Sequence, residues 1–279
     1  MKKIMIAPKN KNMILKTIDK VDAYLLGVEK FSVNLPCSFS FKELKEIIPF
    51  LKKENKEVFL SLNKNMFSSD LEPLEKCLEE IEQLSIEGIC FYDVSIPSIR
   101  KRRNFKTPLV WSQEHFTTNY ATINYWLDRG VSFAQLSNEI TKEEIAEIRE
   151  NTKMKLISQV FGYIPIFYSK RPFVKNYKTI FSLEAKQDIC YMEKEGKKYP
   201  LREQGMSFEG YDANILNAYL DIDTLEVDYL YLNSFLIEED TFMEVLRCYK
   251  EKDQVSLEKL FPLSSGFFHT KTVYRVKDL

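Results

Sequence analysis

The stretch APKNKNM, residues 7–13, follows the first strand candidate, Lys3–Ala7, and contains no glycine. A doubly wound open sheet ordinarily carries a glycine-rich turn at this point, where backbone must approach a phosphate and pack a helix closely. Its absence favours the other parallel-sheet architecture, a closed barrel. The surrounding sequence agrees, because short apolar runs alternate with segments of helical period almost from end to end. Seven further strands are expected at 23–26, 57–62, 88–92, 108–112, 131–136, from 155 onward, and in the LEVDYLYLNSFL run at 225–236. Units of roughly 25–35 residues, repeated eight times in ~250 residues, suit an α/β fold of the (β/α)8 TIM-barrel type.

The intervening helices carry their own punctuation. Ser40 precedes FKELKEIIPFLKKEN as an N-cap, and Thr141 with Glu144 forms a capping box before KEEIAEIREN. Gly130 stands where a left-handed stop is wanted after the helix expected at 120–129. Further helices are expected at 13–21, 97–104 and 239–252. Regularity breaks at 178–200, where YKTIFSL and DICYMEKEGKKYPL alternate polar with apolar residues around an EGKK turn. This segment reads as a β-hairpin insertion after the seventh strand of one barrel-like domain, 1–279. The 170–178 segment before it reads as a loop. The pattern resumes at 215–220, and the tail ends in an alternating segment expected to pair at a sheet edge or cover the barrel.

Composition limits the functional classes. With 40 basic and 41 acidic residues, the chain has no global pull toward nucleic acid or anionic membrane, though local patches remain open. Its five cysteines are scattered and odd in number, which suits reduced thiols in the cytoplasm. The apolar run before Pro8 is too short for a signal peptide, and no window approaches the ~20 apolar residues of a membrane helix. No membrane association is expected.

In a barrel of this kind the strand C-terminal ends build the site. They supply Asn63 and Asn65, Asp93, Gln113 with Glu114 and His115, and Gln135 with Ser137 and Glu139. The seventh strand adds Gln159, Tyr163, Tyr168 and Arg171, and the eighth adds Asn233. Glu139, His115 and Glu114 are the acid–base candidates. Asn63, Gln113, Gln135, Gln159, Tyr163, Tyr168, Arg171 and Lys175 are the substrate-binding candidates. Glu114 and His115 are adjacent, so on a strand they point to opposite faces unless a turn intervenes. Glu139 equally suits the positive end of the following helix. No metal site is expected, since the chain has two histidines, no HExxH and no paired cysteines. There is no GxSxG elbow, and Cys37 has no evident histidine partner. Of two basic clusters, RKRRNFK at 100–106 and KRPFVKNYK at 170–178, the second interleaves aromatic rings with cations. That composition suits phosphate contact with base stacking.

The run SQVFGYIPIFYSKRPFVKNY at 158–177 resembles the signature region of the peptidase U32 family, the collagenase-like proteins. SQEHFTTNYATINYWLDRGV at 112–131, AQLSNEITKEEI at 134–145 and KKYPLREQ at 197–204 resemble further family segments in the same order. The resemblance implies a barrel-like α/β fold and nominally a hydrolase acting on peptides. Its alternative implication is a non-proteolytic factor or partner subunit in hydroxylation-type modification of tRNA or other RNA. Relatives of that second kind often bind an iron–sulfur cluster and often work as two related subunits. The implied partners are therefore a peptide or RNA substrate and a second U32-family subunit. Pro172 stands at the family's cluster-cysteine position, so an iron–sulfur cluster is not expected here and the cofactor is left unassigned. Phe161 replaces the signature histidine before Gly162, and Asn138 replaces an arginine beside the retained Glu139.

Overall fold

The computed structural model describes residues 2–113, 115–183, 189–204 and 207–271. Eight strands run parallel in the order β12 (Tyr229–Asn233), β1 (Lys3–Ala7), β2 (Ala23–Val28), β4 (Glu57–Leu62), β5 (Gly88–Phe91), β6 (Leu109–Ser112), β7 (Phe133–Gln135) and β8 (Lys155–Ser169). Pairing of β12 with both β1 and β8 closes them into a barrel, and the two-residue β3 (Ser38–Phe39) only adds to β2. All eight expected strands are present. They were readable because a strand buried on both faces is a nearly continuous apolar run.

Alternation divides each strand between two cores. Met5, Phe59, Cys90, Val110, Phe133, Ile157 and Tyr229 face the barrel interior, while Ile4 and Ile6 belong to the layer packed under the helices. Deep inside, Phe59 meets Phe133 and Tyr229 edge-to-face at 5.2 and 5.6 Å. Toward the strand C-termini the inward positions turn polar, at Ser61, Ser112, Gln135, Gln159 and Asn233. That change of chemistry marks the mouth.

The expected caps form. Ser40 accepts from Glu43 N and Glu43 from Ser40 N at the start of α2 (Phe41–Lys53). Thr141 and Glu144 do the same for α6 (Lys142–Asn151). The first helix is α1, Lys11–Thr17, rather than 13–21. Asn10 caps it by accepting from Met13 N at 2.8 Å, and the chain must then turn to enter β2. Between β4 and β7 follow α3 (Leu71–Ile81), α4 (Ser95–Arg103) and α5 (Tyr120–Leu127).

β8 does not stop at the barrel rim. Its outer half pairs antiparallel with β11 (Ser207–Asn217), which pairs with β10 (Lys197–Gln204), and β10 with β9 (Ile189–Lys194). The expected hairpin is therefore present, turning at Glu195 and Gly196, both at positive φ. The extension is wider than 178–200, because 215–217 completes β11 instead of restarting the βα rhythm. The segment 170–178 also differs from the loop expected, since α7 spans Phe173–Ile180. Pro172 and four nearby cations concealed a helix too short to show a period. α8 (Glu239–Glu251) appears as expected, followed by an unexpected α9 (Gln254–Leu260) that Asp253 caps. Ser264 then bridges Asn217, and the alternating end of the tail lies outside the described residues.

Gly162 makes the departure from the barrel possible. It sits at φ +108°, and a Cβ there would lie 2.3 Å from the Asn233 carbonyl oxygen. Two clamps then hold the extension over the mouth. Lys170 donates to Asp70 at 2.8 Å and to Asn65 O at 3.0 Å, with its ammonium 3.4 Å from the Phe67 ring centroid. Arg202, directly opposite Glu209 in the ladder, pairs with that carboxylate and donates to Leu35 O at 2.6 Å. Tyr211 also donates to Glu209, at 2.5 Å, and stacks on Phe235 beneath Arg202.

Candidate active site at the barrel mouth

Two adjoining cavities occupy the C-terminal ends of the strands. The inner one, about 20 Å³, lies among Ser61, Asn63, Ser112, Gln135, Gln159 and Asn233. Above it a vestibule of about 210 Å³ is bounded by Asn34, Asn65, Tyr92, His115, Phe167 and Tyr168. Asn34, Asn63 and Pro165 line both, so the two are successive depths of one mouth. A wider basin of about 940 Å³ opens at the opposite end of the barrel. Its lysines are engaged there, Lys2 on Ile222 O and Asp223 O and Lys252 on Asp223. The strand N-termini serve stability in this fold, so the mouth is the candidate site.

The amides at the mouth are held in place. Asn63 accepts from Val33 N at 2.9 Å and donates to Val33 O at 3.0 Å, tying the loop after β2 to β4. Gln135 accepts from the Ser112 hydroxyl at 2.8 Å. Gln159 donates to Tyr163 O at 3.1 Å, across the bend where β8 leaves the barrel. Asn233 accepts from Phe235 N at 3.0 Å. Of the sequence candidates, Asn63, Asn65, Gln135, Gln159, Asn233, His115 and Tyr168 therefore meet at the mouth.

His115 and Glu139 come together as well. They lie on loops that follow neighbouring strands, and His115 Nδ1 is 3.4 Å from Glu139 Oε1, with both side chains partly exposed; of the two, His115 lines the vestibule and Glu139 lines neither cavity. Tyr168 closes another side, and burial is the main force pushing its phenol above the usual tyrosine range, with the Ser207 hydroxyl opposing.

Other candidates fall elsewhere. Gln113 is buried and lines neither mouth cavity. Tyr163 packs on Phe235, and burial likewise raises its phenol. Arg171 is exposed, and Lys175 is exposed on α7. Asp93 accepts from Met66 N and Ser95 N, both at 2.9 Å, so it secures a loop and the start of α4. Glu114 lies outside the described residues. The sequence reading missed Asn34, Tyr92 and Phe167, as well as Arg202 and Glu209. The last pair could have been found by counting the hairpin register outward from Gln204 opposite Ser207.

The cysteines do not fit an iron–sulfur cluster. Cys90 is inside the barrel, Cys77 and Cys248 are in the helix layer, and Cys37 and Cys190 belong to separate half-buried segments. Burial raises every one of these thiols, Cys77 and Cys90 up to about 12. A cluster needs convergent thiolates. No convergent set of metal-ligating side chains occurs among the described residues.

Fold and site together define a (β/α)8-barrel protein with a polar, amide-lined mouth and a β extension clamped across it. More particularly, the chain belongs to Peptidase family U32, whose model matches residues 10–262. It is similar to the "tRNA hydroxylation protein P2" of Bacillus subtilis, with 24% identity covering 97% of this chain and 98% of that protein. It is also similar to that organism's "tRNA hydroxylation protein P1", at 23% identity over 57% of this chain but only 38% of the relative. The "Uncharacterized protease MJ0090" of Methanocaldococcus jannaschii shares 26% identity over 62% of this chain and 44% of that protein. Among solved structures, "The Structure of the U32 Peptidase Mk0906" superposes with a TM-score of 0.54 at 13% identity, covering 83% of this chain and 92% of the other. That likeness shows the fold. No described helix is long and apolar enough to cross a membrane.

Proposed function

We propose that this chain is a tRNA-hydroxylation factor that works beside a second, longer member of its family. The end-to-end correspondence with tRNA hydroxylation protein P2 carries this reading, because it spans both chains almost completely. The P1 match, confined to part of a longer protein from the same organism, supports a two-subunit arrangement. The mouth is chemically suited to the task. Amides donate and accept together, as the edge of an unstacked base requires, and Tyr92, Phe167 and Tyr168 offer rings at its rim. His115 and Glu139 supply a site where a proton can be held or moved. Any cluster the reaction requires is assigned to the partner, since the thiols here do not converge.

The test is complementation. In a strain lacking the gene, wild-type chain should restore a hydroxylated tRNA nucleoside, whereas His115→Ala and Glu139→Gln should lower its yield by about 100-fold or more. Full restoration by both variants would remove the pair from the site. Restoration of gelatin or casein cleavage with no change in tRNA would favour the peptidase reading that the family description and MJ0090 carry.

A further inference from the structure

We propose that α7 and the turn after it form an anchor for single-stranded RNA that leads into the barrel mouth; this rests on the functional reading above. None of the eight residues of α7 is buried, yet the helix presents large rings. Phe173, Tyr177 and Phe181 recur at a spacing of four, which places them along one side of a helix. They are 41%, 57% and 59% exposed, and the Tyr177 and Phe181 ring centroids lie 4.7 Å apart. An exposed aromatic stripe of this kind wants an occupant.

Charge complementarity selects the occupant. Residues 170–183 contain Lys170, Arg171, Lys175 and Lys178 and no aspartate or glutamate, in a chain whose total charge is balanced. Lys170 is committed to Asp70, whereas Arg171, Lys175 and Lys178 form no ion pair among the described residues. Glu203 accepts from Val174 N and Lys175 N at 2.8 and 2.9 Å and so fixes the helix start. Cations interleaved with exposed rings fit a sugar–phosphate strand whose bases stack.

The stripe is also continuous with the site. Phe167 lines the vestibule, its ring centroid is 6.1 Å from that of Phe173, and both rings pack against Phe208. A strand stacked along Phe181, Tyr177 and Phe173 would deliver its next base at the mouth.

The experiment is fluorescence anisotropy of the full chain with a fluorescein-labelled single-stranded RNA of mixed sequence, titrated across salt. Tyr177→Ala and Phe181→Ala should each weaken binding roughly fivefold to a hundredfold, because each removes one stacking platform. Lys175→Ala with Lys178→Ala should flatten the log Kd against log salt slope by about 1.4. Arg102→Ala with Lys101→Ala, on α4, should leave both unchanged. Lys178 is half-buried and the other substituted side chains are exposed, and an unchanged Tm confirms folding. Equal RNA affinity in wild type and the α7 variants overturns the proposal, as does preference of the stripe for anionic vesicles. Hydroxylation lost with RNA binding intact also overturns it and assigns the stripe to the partner subunit. Binding is read without any modification, so loss of RNA affinity in these variants would uphold the anchor even if deletion of the gene left tRNA unchanged.

Discussion

Replacing Arg202 by methionine tests whether the extension is held over the mouth by a buried charge pair. The Arg202 and Glu209 side chains are 7% and 4% exposed. Methionine keeps most of the volume but removes the bonds to Glu209, the bond to Leu35 O and the cation over the Phe235 ring. Among the described residues, Glu209 is then a buried carboxylate with the Tyr211 hydroxyl as its one remaining hydrogen-bond donor. Breaking one side of a buried pair costs about 3–5 kcal/mol, and that range is appropriate here because the desolvation of Glu209 stays uncompensated. Arg202→Met combined with Glu209→Leu removes the orphaned charge and leaves one neutral group, Leu35 O, without the bond that Arg202 supplied. The double variant should therefore be no less stable than Arg202→Met alone, despite carrying an additional change. Urea unfolding followed by circular dichroism measures all three chains. A loss below about 1 kcal/mol for Arg202→Met, or a double variant worse by the sum of both singles, would refute the argument.

Three other outcomes follow from the same geometry. Gly162→Ala should cost about 1–3 kcal/mol for its backbone conformation and a similar amount for overlap with Asn233 O, whereas Gly130→Ala, at φ +76° with open space around it, should cost only about 1–2; equal Tm values would contradict this. Asp253 is held down at about 2, against an ordinary 3.8, by hydrogen bonds from Arg247 and Ser256. Its folded pKa is depressed, so its stabilising contribution is present above about pH 4 and lost as pH falls toward 2; Asp253→Asn should flatten the acid limb of the stability curve, and an unaltered limb would count against the pairing. Cys77 and Cys90, their thiols raised to about 12 by burial, should resist iodoacetamide at pH 8 until urea unfolds the chain, as peptide mass spectrometry would show.

The barrel was legible because its strands are buried on both sides and its helices carry caps at Ser40 and Thr141. The meeting of His115 with Glu139 was accessible once the strands were ordered, since β6 and β7 are neighbours and their following loops must be close. Function at the extension was harder to read. α7 is short, begins after a proline and buries nothing, so no apolar period separates it from a loop. Arg202 and Glu209 look like two surface charges seven residues apart, and only the register of the hairpin turns them into a buried pair. Gln113 shows the opposite error. It sits at a strand end with the right chemistry, yet it follows the inward-facing Ser112 and lines neither cavity of the mouth.

The measurement that bears most directly on the account is nucleoside mass spectrometry of bulk tRNA from a strain lacking this gene, beside its parent and with rRNA as control. One hydroxylated nucleoside should disappear from tRNA, rRNA should be unchanged, and the unhydroxylated precursor should accumulate in equal amount. An identical tRNA profile in the two strains would contradict it.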